Sequence, residues 1–326
     1  MNSLQPLAEK MNRAGATRMP FFAIINFEGS EFFFSPLDAL QHDEIQIDFP
    51  GFKFHEQPAS PAEPLLKWQP KPQPFAQYQK SFDTVLRHLR YGNSFLTNLT
   101  ASTPLETSAS LSSLFHAAQA RYKIQYKQDW LCFSPETFVQ IHDGRIFAYP
   151  MKGTIDAAIP NAETVILNDE KETAEHYTIV DLIRNDLSRV ATQVVVEDFR
   201  YIDTLHTAHK TLLQVSSRIA GNLPHNHLQH LGDLFLDLLP AGSISGAPKL
   251  KTLDIIREAE THDRGYYTGV AIYFDGTQVD SCVLIRFIER EGDGFVYKSG
   301  GGMTIHSDAE NEYQELIDKI YVPIYR

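Results

Sequence analysis

Cysteine is scarce in this sequence: Cys132 and Cys282 are the only two in 326 residues. Two thiols cannot build a disulfide framework or a cysteine metal site, and both lie in strand-like apolar runs that read as core. An excess of cations is also missing. Lys and Arg number 29 against 41 Asp and Glu, a formal charge of −12, and the cations form no run, which argues against wrapping nucleic acid. No apolar stretch approaches the roughly 18 residues of a membrane span. The N-terminal MNSLQPLAEKMNRAG has no apolar stretch of the kind a secretory signal needs. No internal repeat is present. What remains is the balance of a globular chain, with 43% hydrophobic and 21% charged residues, and not that of a coiled coil, a collagen or a disordered tail. At roughly 150 residues per domain the length fits two units or one large one. The expectation is a soluble cytoplasmic protein with a large core and no nucleic-acid or membrane partner.

Residues 3–14 read as a helix stopped by Gly15, and FFAIINF and EFFFS flank Glu28-Gly29-Ser30 as a hairpin. Six prolines between Gln57 and Pro74 exclude a central strand or helix there. The linker is therefore assigned to 57–74, separating an N-terminal region, 1–72, from a main part, 75–326. Helices are expected at 75–91, 109–121, 169–188, 226–239, 248–260 and from about Ser307. Strands are expected in SFLTNLT, WLCFS, TFVQIH, RIFAYP, VVVEDF, YYTGVAIYF, QVDSCVLIRFIE and GFVYKSGGG. Asp143-Gly144 and Asp275-Gly276 are hairpin turns. Blocks of hairpins and helices without βαβ spacing indicate an α+β fold with mostly antiparallel sheets.

Three features could carry chemistry. Helix 169–188 carries Glu175 on the face of Ile179 and Leu182, and the last helix carries Glu312 and Glu315 beside the stripe Tyr313, Leu316, Ile317 and Ile320. These carboxylates either form ordinary surface pairs, Glu315 with Lys319 for example, or converge on a hard cation such as Mg²⁺. Glycines 300–302 follow a strand, and PAGSISGAPK precedes a helix. Either is an ordinary bend or helix start, or offers backbone N–H groups to an anion. Glu136 and Lys152 flank the Asp143-Gly144 turn at seven and eight residues, so antiparallel pairing predicts that they meet at the open end of the hairpin. That is a simple cross-strand salt bridge, or, if desolvated, a lysine nucleophile beside a general acid. The residues alone name no substrate.

GNSFLTNLT, SPETF, YPMKGT, KETAEHYTIVDLIRNDLSRV, PAGSISGAPKLKTLDIIREAE, RGYYTGVAIYF, LIRFIE and GGGMTIHSDAENEYQE occur in this order within 75–326. Together they resemble the chorismate-utilising enzyme family. The resemblance implies an anthranilate synthase component I-like fold: two mostly antiparallel sheets packed as a sandwich, helices outside, with the N-terminal strands extending a sheet. It implies that Glu175, Glu315 and Glu312 hold Mg²⁺, and that the metal holds the ring carboxylate of chorismate. It implies that Arg286, Tyr267, Gly301 and Gly302 grip carboxylates, with Ser245 and Lys249 bordering the pocket. His176 and Arg184-Asn185-Asp186 are expected to serve structure around the metal helix. Anthranilate and isochorismate synthases typically carry a small residue where this chain has Lys152. The lysine marks the branch that aminates chorismate at C4, where it attacks C2 while Glu136 acts as general acid and then base. Leu96 stands at the place of the lysine base of isochorismate and salicylate synthases, and it cannot activate water. Gln214 stands where several relatives have His. Only about 72 residues precede the catalytic part, which leaves no basis for expecting the tryptophan site of longer relatives. No Gly-x-Cys-x-Gly turn is present, so ammonia is expected from a separate glutamine amidotransferase subunit, and a downstream aminodeoxychorismate lyase is expected to complete 4-aminobenzoate for folate.

Overall fold

The computed structural model describes residues 2–57, 67–206 and 211–324. The strand Phe21–Ile25 shows how the layers form. All five residues are apolar and buried. Phe21, Ala23 and Ile25 join one core, and Phe22 and Ile24 join another on the opposite face. A continuous apolar run is what a strand covered on both faces requires.

Two nine-stranded sheets result among the described residues. The first runs in spatial order Met151–Asp156, Thr211–Asn222, Arg145–Ala148, Thr137–His142, Val279–Val283, Val270–Phe274, Phe21–Ile25 and Phe32–Pro36, with Thr192–His206 also paired to Thr211–Asn222. The second runs Gly246–Ala247, Leu96–Thr107, Gly294–Met303, Phe287–Glu291, Trp130–Ser134, Tyr122–Tyr126, Ile45–Phe49 and Phe52–Phe54, with Trp68–Pro70 on Leu96–Thr107. Every pairing is antiparallel. The layer between the sheets is built on Phe22, Phe49, Tyr122, Trp130, Cys132, Cys282 and Phe287. Helices Gln5–Thr17 and Leu231–Leu238 cover the outer face of the first sheet, and Phe75–Arg90, Lys249–Ala259 and Ala309–Asp318 pack outside the second. This is the two-sheet α+β sandwich expected.

Several local expectations are corrected. Gly15 does not stop the first helix, which runs to Thr17 and ends on left-handed Arg18. A Cβ at Gly15 would lie 1.9 Å from the Leu228 carbonyl oxygen, so the glycine serves helix contact. Trp68–Pro70 is a short strand inside the proline-rich stretch, added at the end of Leu96–Thr107; residues 58–66 of that stretch lie outside the described ones. The N-terminal strands enter both sheets: Phe21–Ile25 and Phe32–Pro36 the first, Ile45–Phe49 and Phe52–Phe54 the second. Neither Thr211–Asn222 nor helix Ala162–Leu167 was expected from periodicity.

At two places consecutive strands lie in different sheets, and these crossings create the site. Trp130–Ser134 belongs to the second sheet and Thr137–His142 to the first, so the chain crosses at Pro135-Glu136. Val279–Val283 belongs to the first and Phe287–Glu291 to the second, so it crosses back at 284–286. Backbone bonds tie the two corners: Val283 N–H donates to the Glu136 carbonyl at 3.2 Å, and Phe133 N–H to the Arg286 carbonyl at 3.1 Å.

Candidate active site

A cavity of about 480 Å³ opens at these corners, within the size range of small-molecule sites. Glu136 and Arg286 enter it from the two crossings. The Ser243 hydroxyl donates to Glu136 Oε1 at 2.6 Å. Burial raises the Glu136 carboxyl above its ordinary range, opposed by the Ser243 bond and the positive charges of Arg286 and Lys319. A carboxyl so held keeps its proton to higher pH, as a general acid must. Arg286 takes a left-handed backbone, φ 56°. Its guanidinium carbon lies 5.5 Å from the centre of the Tyr321 ring, and its buried Nε–H has no hydrogen-bond partner. An unpartnered guanidinium donor at a cavity is a ready carboxylate grip.

Lys152 reaches the cavity from Met151–Asp156. It does not pair with Glu136 as the hairpin reasoning predicted. The strand Arg145–Ala148 stops before Tyr149-Pro150, and Met151–Asp156 pairs instead with Thr211–Asn222, since proline offers no ladder donor. The partner of Lys152 is Glu175, Nζ to Oε2 2.7 Å. Burial pulls the Lys152 pKa down, but the charges of Glu175, Glu315 and Glu172 outweigh it and hold the ammonium above its usual value. Gly300, Gly301 and Gly302 form one wall, opposite Thr100, Leu99 and Asn98 of the neighbouring strand. Tyr267 also lines the cavity, and burial raises its phenol pKa. Leu96 and Gln214, the two departures from relatives, both line it as well.

Ser245 and Lys249, expected at its border, are not among the lining residues. The Ser245 hydroxyl donates to the Ala241 carbonyl at 2.8 Å. Lys249 Nζ pairs with Asp186 at 2.9 Å and donates to the Leu238 carbonyl at 2.6 Å. Ser245 is spent on the loop itself, and Lys249 on tying it to helices Glu170–Leu187 and Leu231–Leu238. His176 is fully buried, 2.7 Å from the Ser217 hydroxyl, and burial lowers its pKa to about 4. Among the polar lining residues that the sequence reasoning did not place there are Glu172, Ser243, Thr268 and Lys319. Glu172 was legible, three residues before Glu175 and so on the same helix face.

A profile of the chorismate binding enzyme family matches residues 31–324. The chain belongs to this family. A Haemophilus influenzae protein named "Uncharacterized PabA-like protein" is 47% identical over 323 residues, 99% of this chain and 98% of its own length. Aminodeoxychorismate synthase component 1 of Klebsiella aerogenes is 31% identical over 260 residues, 75% of this chain and 56% of that protein. Among solved structures, anthranilate synthase component I of Streptococcus pneumoniae aligns with a TM-score of 0.66 at 27% identity, covering 79% of this chain and 59% of that one. This chain therefore spans a little over half the length of the latter two. It is a chorismate-utilising enzyme of the same two-sheet fold. No helix among its described residues is long and apolar enough to cross a membrane.

The carboxylates of this chorismate-binding enzyme bear on the implied metal. Glu312 and Glu315 converge over Gly301, where a Cβ would lie 3.2 Å from Glu312 Oε2 and 3.6 Å from Glu315 Oε1. Glu312 Oε1 accepts from Ser307 at 2.7 Å, and Glu315 pairs with Lys319 at 2.6 Å. Glu172 Oε2 is buried with no partner. Among the described residues no three such side chains close into a ligand cluster of their own. The donor set is all hard oxygen, with an orphaned carboxylate oxygen beside it. It fits Mg²⁺, which binds through a few carboxylates and completes its shell with water and substrate oxygens.

Proposed function

We propose that this chorismate-utilising enzyme is component I of an aminodeoxychorismate synthase, aminating chorismate at C4 with ammonia to give 4-amino-4-deoxychorismate. The observation that carries this reading is Lys152, in the wall of the same cavity as Glu136, whose carboxyl burial pushes up, and the open donor of Arg286. The similarity to the Klebsiella aerogenes protein of that name supports it.

Chorismate is a dicarboxylate, and four carboxyls against three cations line the cavity. Arg286 offers its free donor to one carboxylate, and the glycine wall gives the ring room. Glu175, Glu312 and Glu315 would hold Mg²⁺, which supplies positive charge for the other carboxylate when bound. With Glu175 engaged by Mg²⁺, Lys152 would give up its proton to solvent, and the neutral Nζ then forms a bond to C2 as the ring double bond shifts and the C4–O bond breaks. Glu136 gives its proton to the departing hydroxyl, which leaves as water. Ammonia then bonds to C4, the double bond shifts back, and the C2–N bond breaks to release Lys152 as the amine. Glu136, now a carboxylate, takes a proton from the new ammonium group. A separate glutamine amidotransferase subunit supplies ammonia, and an aminodeoxychorismate lyase consumes the product on the way to 4-aminobenzoate and folate. A cytoplasmic location accords with this chemistry.

The test is product analysis with chorismate, Mg²⁺ and ammonium, with and without an aminodeoxychorismate lyase. Lyase-dependent 4-aminobenzoate is the expected result. Anthranilate and pyruvate without lyase would replace this reading by anthranilate synthase. For the metal, Glu175→Ala and Glu315→Ala should each reduce Mg²⁺-dependent turnover at least about 100-fold, since each removes a charged ligand. An unchanged Mg²⁺ titration in either variant removes that residue from the ligand set.

A further inference from the structure

Arg264 lies outside the cavity lining. It is 3% exposed, and all five of its N–H donors are used. Nε and one Nη2 donor reach the two oxygens of Glu260 at 2.9 and 2.7 Å. The other Nη2 donor reaches the Asn98 carbonyl at 2.7 Å, and Nη1 reaches the Ile244 carbonyl at 2.9 Å and the Thr268 hydroxyl at 3.3 Å. Asn98, Ile244 and Thr268 all line the cavity, from three segments distant in sequence. One buried cation thus fastens three parts of the wall.

Thr268 needs fastening. Its φ is 61°, a left-handed conformation that a β-branched residue adopts only when its surroundings impose it. Its N–H donates to the Leu284 carbonyl at 2.7 Å, and its hydroxyl donates to the Tyr267 carbonyl at 2.6 Å while accepting from Arg264. Tyr267, the residue before this bend, also lines the cavity. A buried Arg–Glu pair is by itself a poor source of stability, so its retention beside a strained wall residue points to geometry.

We propose that Arg264 is a positioning residue for chorismate: its fork holds Thr268 in the left-handed bend that turns Tyr267 into the cavity, and fixes the Asn98 and Ile244 walls around it. The inference rests on chorismate as ligand and not on which product forms. Its test is therefore equilibrium binding of chorismate to the full chain with Mg²⁺, by calorimetry, alongside thermal melts. R264K keeps the charge but loses the fork. It should weaken binding about 10-fold, a loss the size of one charged hydrogen bond, with a cooperative melt retained. Adding T268G, which adopts positive φ without cost, should restore most of that binding, which a general loss of structure would not allow. R264K that binds like wild type overturns the proposal, and so does a loss that T268G leaves untouched. Should R264K fail to fold, T268V carries the test. It keeps the shape and loses the hydroxyl, and unchanged binding by that variant also overturns the proposal. Failure of the amination reading would show separately, as wild-type protein that binds chorismate without forming the aminated product.

Discussion

Lys152→Ala should lower formation of 4-amino-4-deoxychorismate by about 10³-fold or more, because it deletes the nucleophile of the proposed mechanism and not merely a contact. The measurement is lyase-coupled 4-aminobenzoate with ammonium as nitrogen source. Chorismate should still bind, since Arg286 and the glycine wall are untouched. The variant should also be less stable. Glu175, with only 8% of its side chain exposed, loses its 2.7 Å partner and keeps Lys171 at 3.8 Å, and removing one member of a buried pair is costly. Lys152→Arg, which keeps a cation for Glu175 but offers no nucleophilic amine, separates the two effects: it should restore stability but not turnover. Full activity in either variant removes the covalent role and leaves direct attack of ammonia on C4.

Glu136→Gln should cost about 10²–10⁴-fold in turnover, the usual worth of a positioned proton donor, while raising the melting temperature at neutral pH. The sign follows from burial, which raises the folded-state pKa of Glu136. Above the unfolded pKa the folded state binds more protons than the unfolded one, so the group's contribution to stability falls as pH rises through the folded value. Gln removes that loss and can still accept the Ser243 bond. The wild type should show an alkaline fall in turnover set by deprotonation of the proposed acid, and this limb should be missing from the residual rate of the variant. A variant that melts lower than wild type at neutral pH, or keeps the alkaline limb, would show that Glu136 is charged in the resting enzyme and is not the acid.

The sheets were legible where burial alone dictates pattern. Phe21–Ile25 is apolar throughout because both faces are covered, and the Asp143-Gly144 and Asp275-Gly276 turns announce their hairpins. Periodicity could not say to which sheet a strand belongs. QVDSCVLIRFIE reads as one run, yet left-handed Arg286 divides it between two sheets. The same limit misdirected Lys152: counting from the turn assumed a continuous hairpin, and Tyr149-Pro150 breaks it. Ser245 and Lys249 were misjudged for another reason. A small-residue loop announces close approach but not which hydroxyl faces in, and here Ser243 does. Glu136, Glu175, Glu315, Arg286 and Tyr267 do share one cavity, though spacing alone left their bland readings open and only the family resemblance drew them together. Arg264 had no signal beyond its place in RGYYTG, because its role consists of contacts to three distant segments.

The tied crossings have a further consequence. Glu136 and Arg286 ride on chain segments that step between the sheets, so their separation follows the gap between the layers, about 10 Å in packed sheets. That gap is set by the bulk of Phe22, Trp130 and Phe287, none of which lines the cavity. The aromatic filling therefore acts as a spacer that gauges the distance from Glu136 to Arg286. Thinning it with a smaller side chain at Phe22 should register as a kinetic change in an enzyme whose cavity residues are all intact.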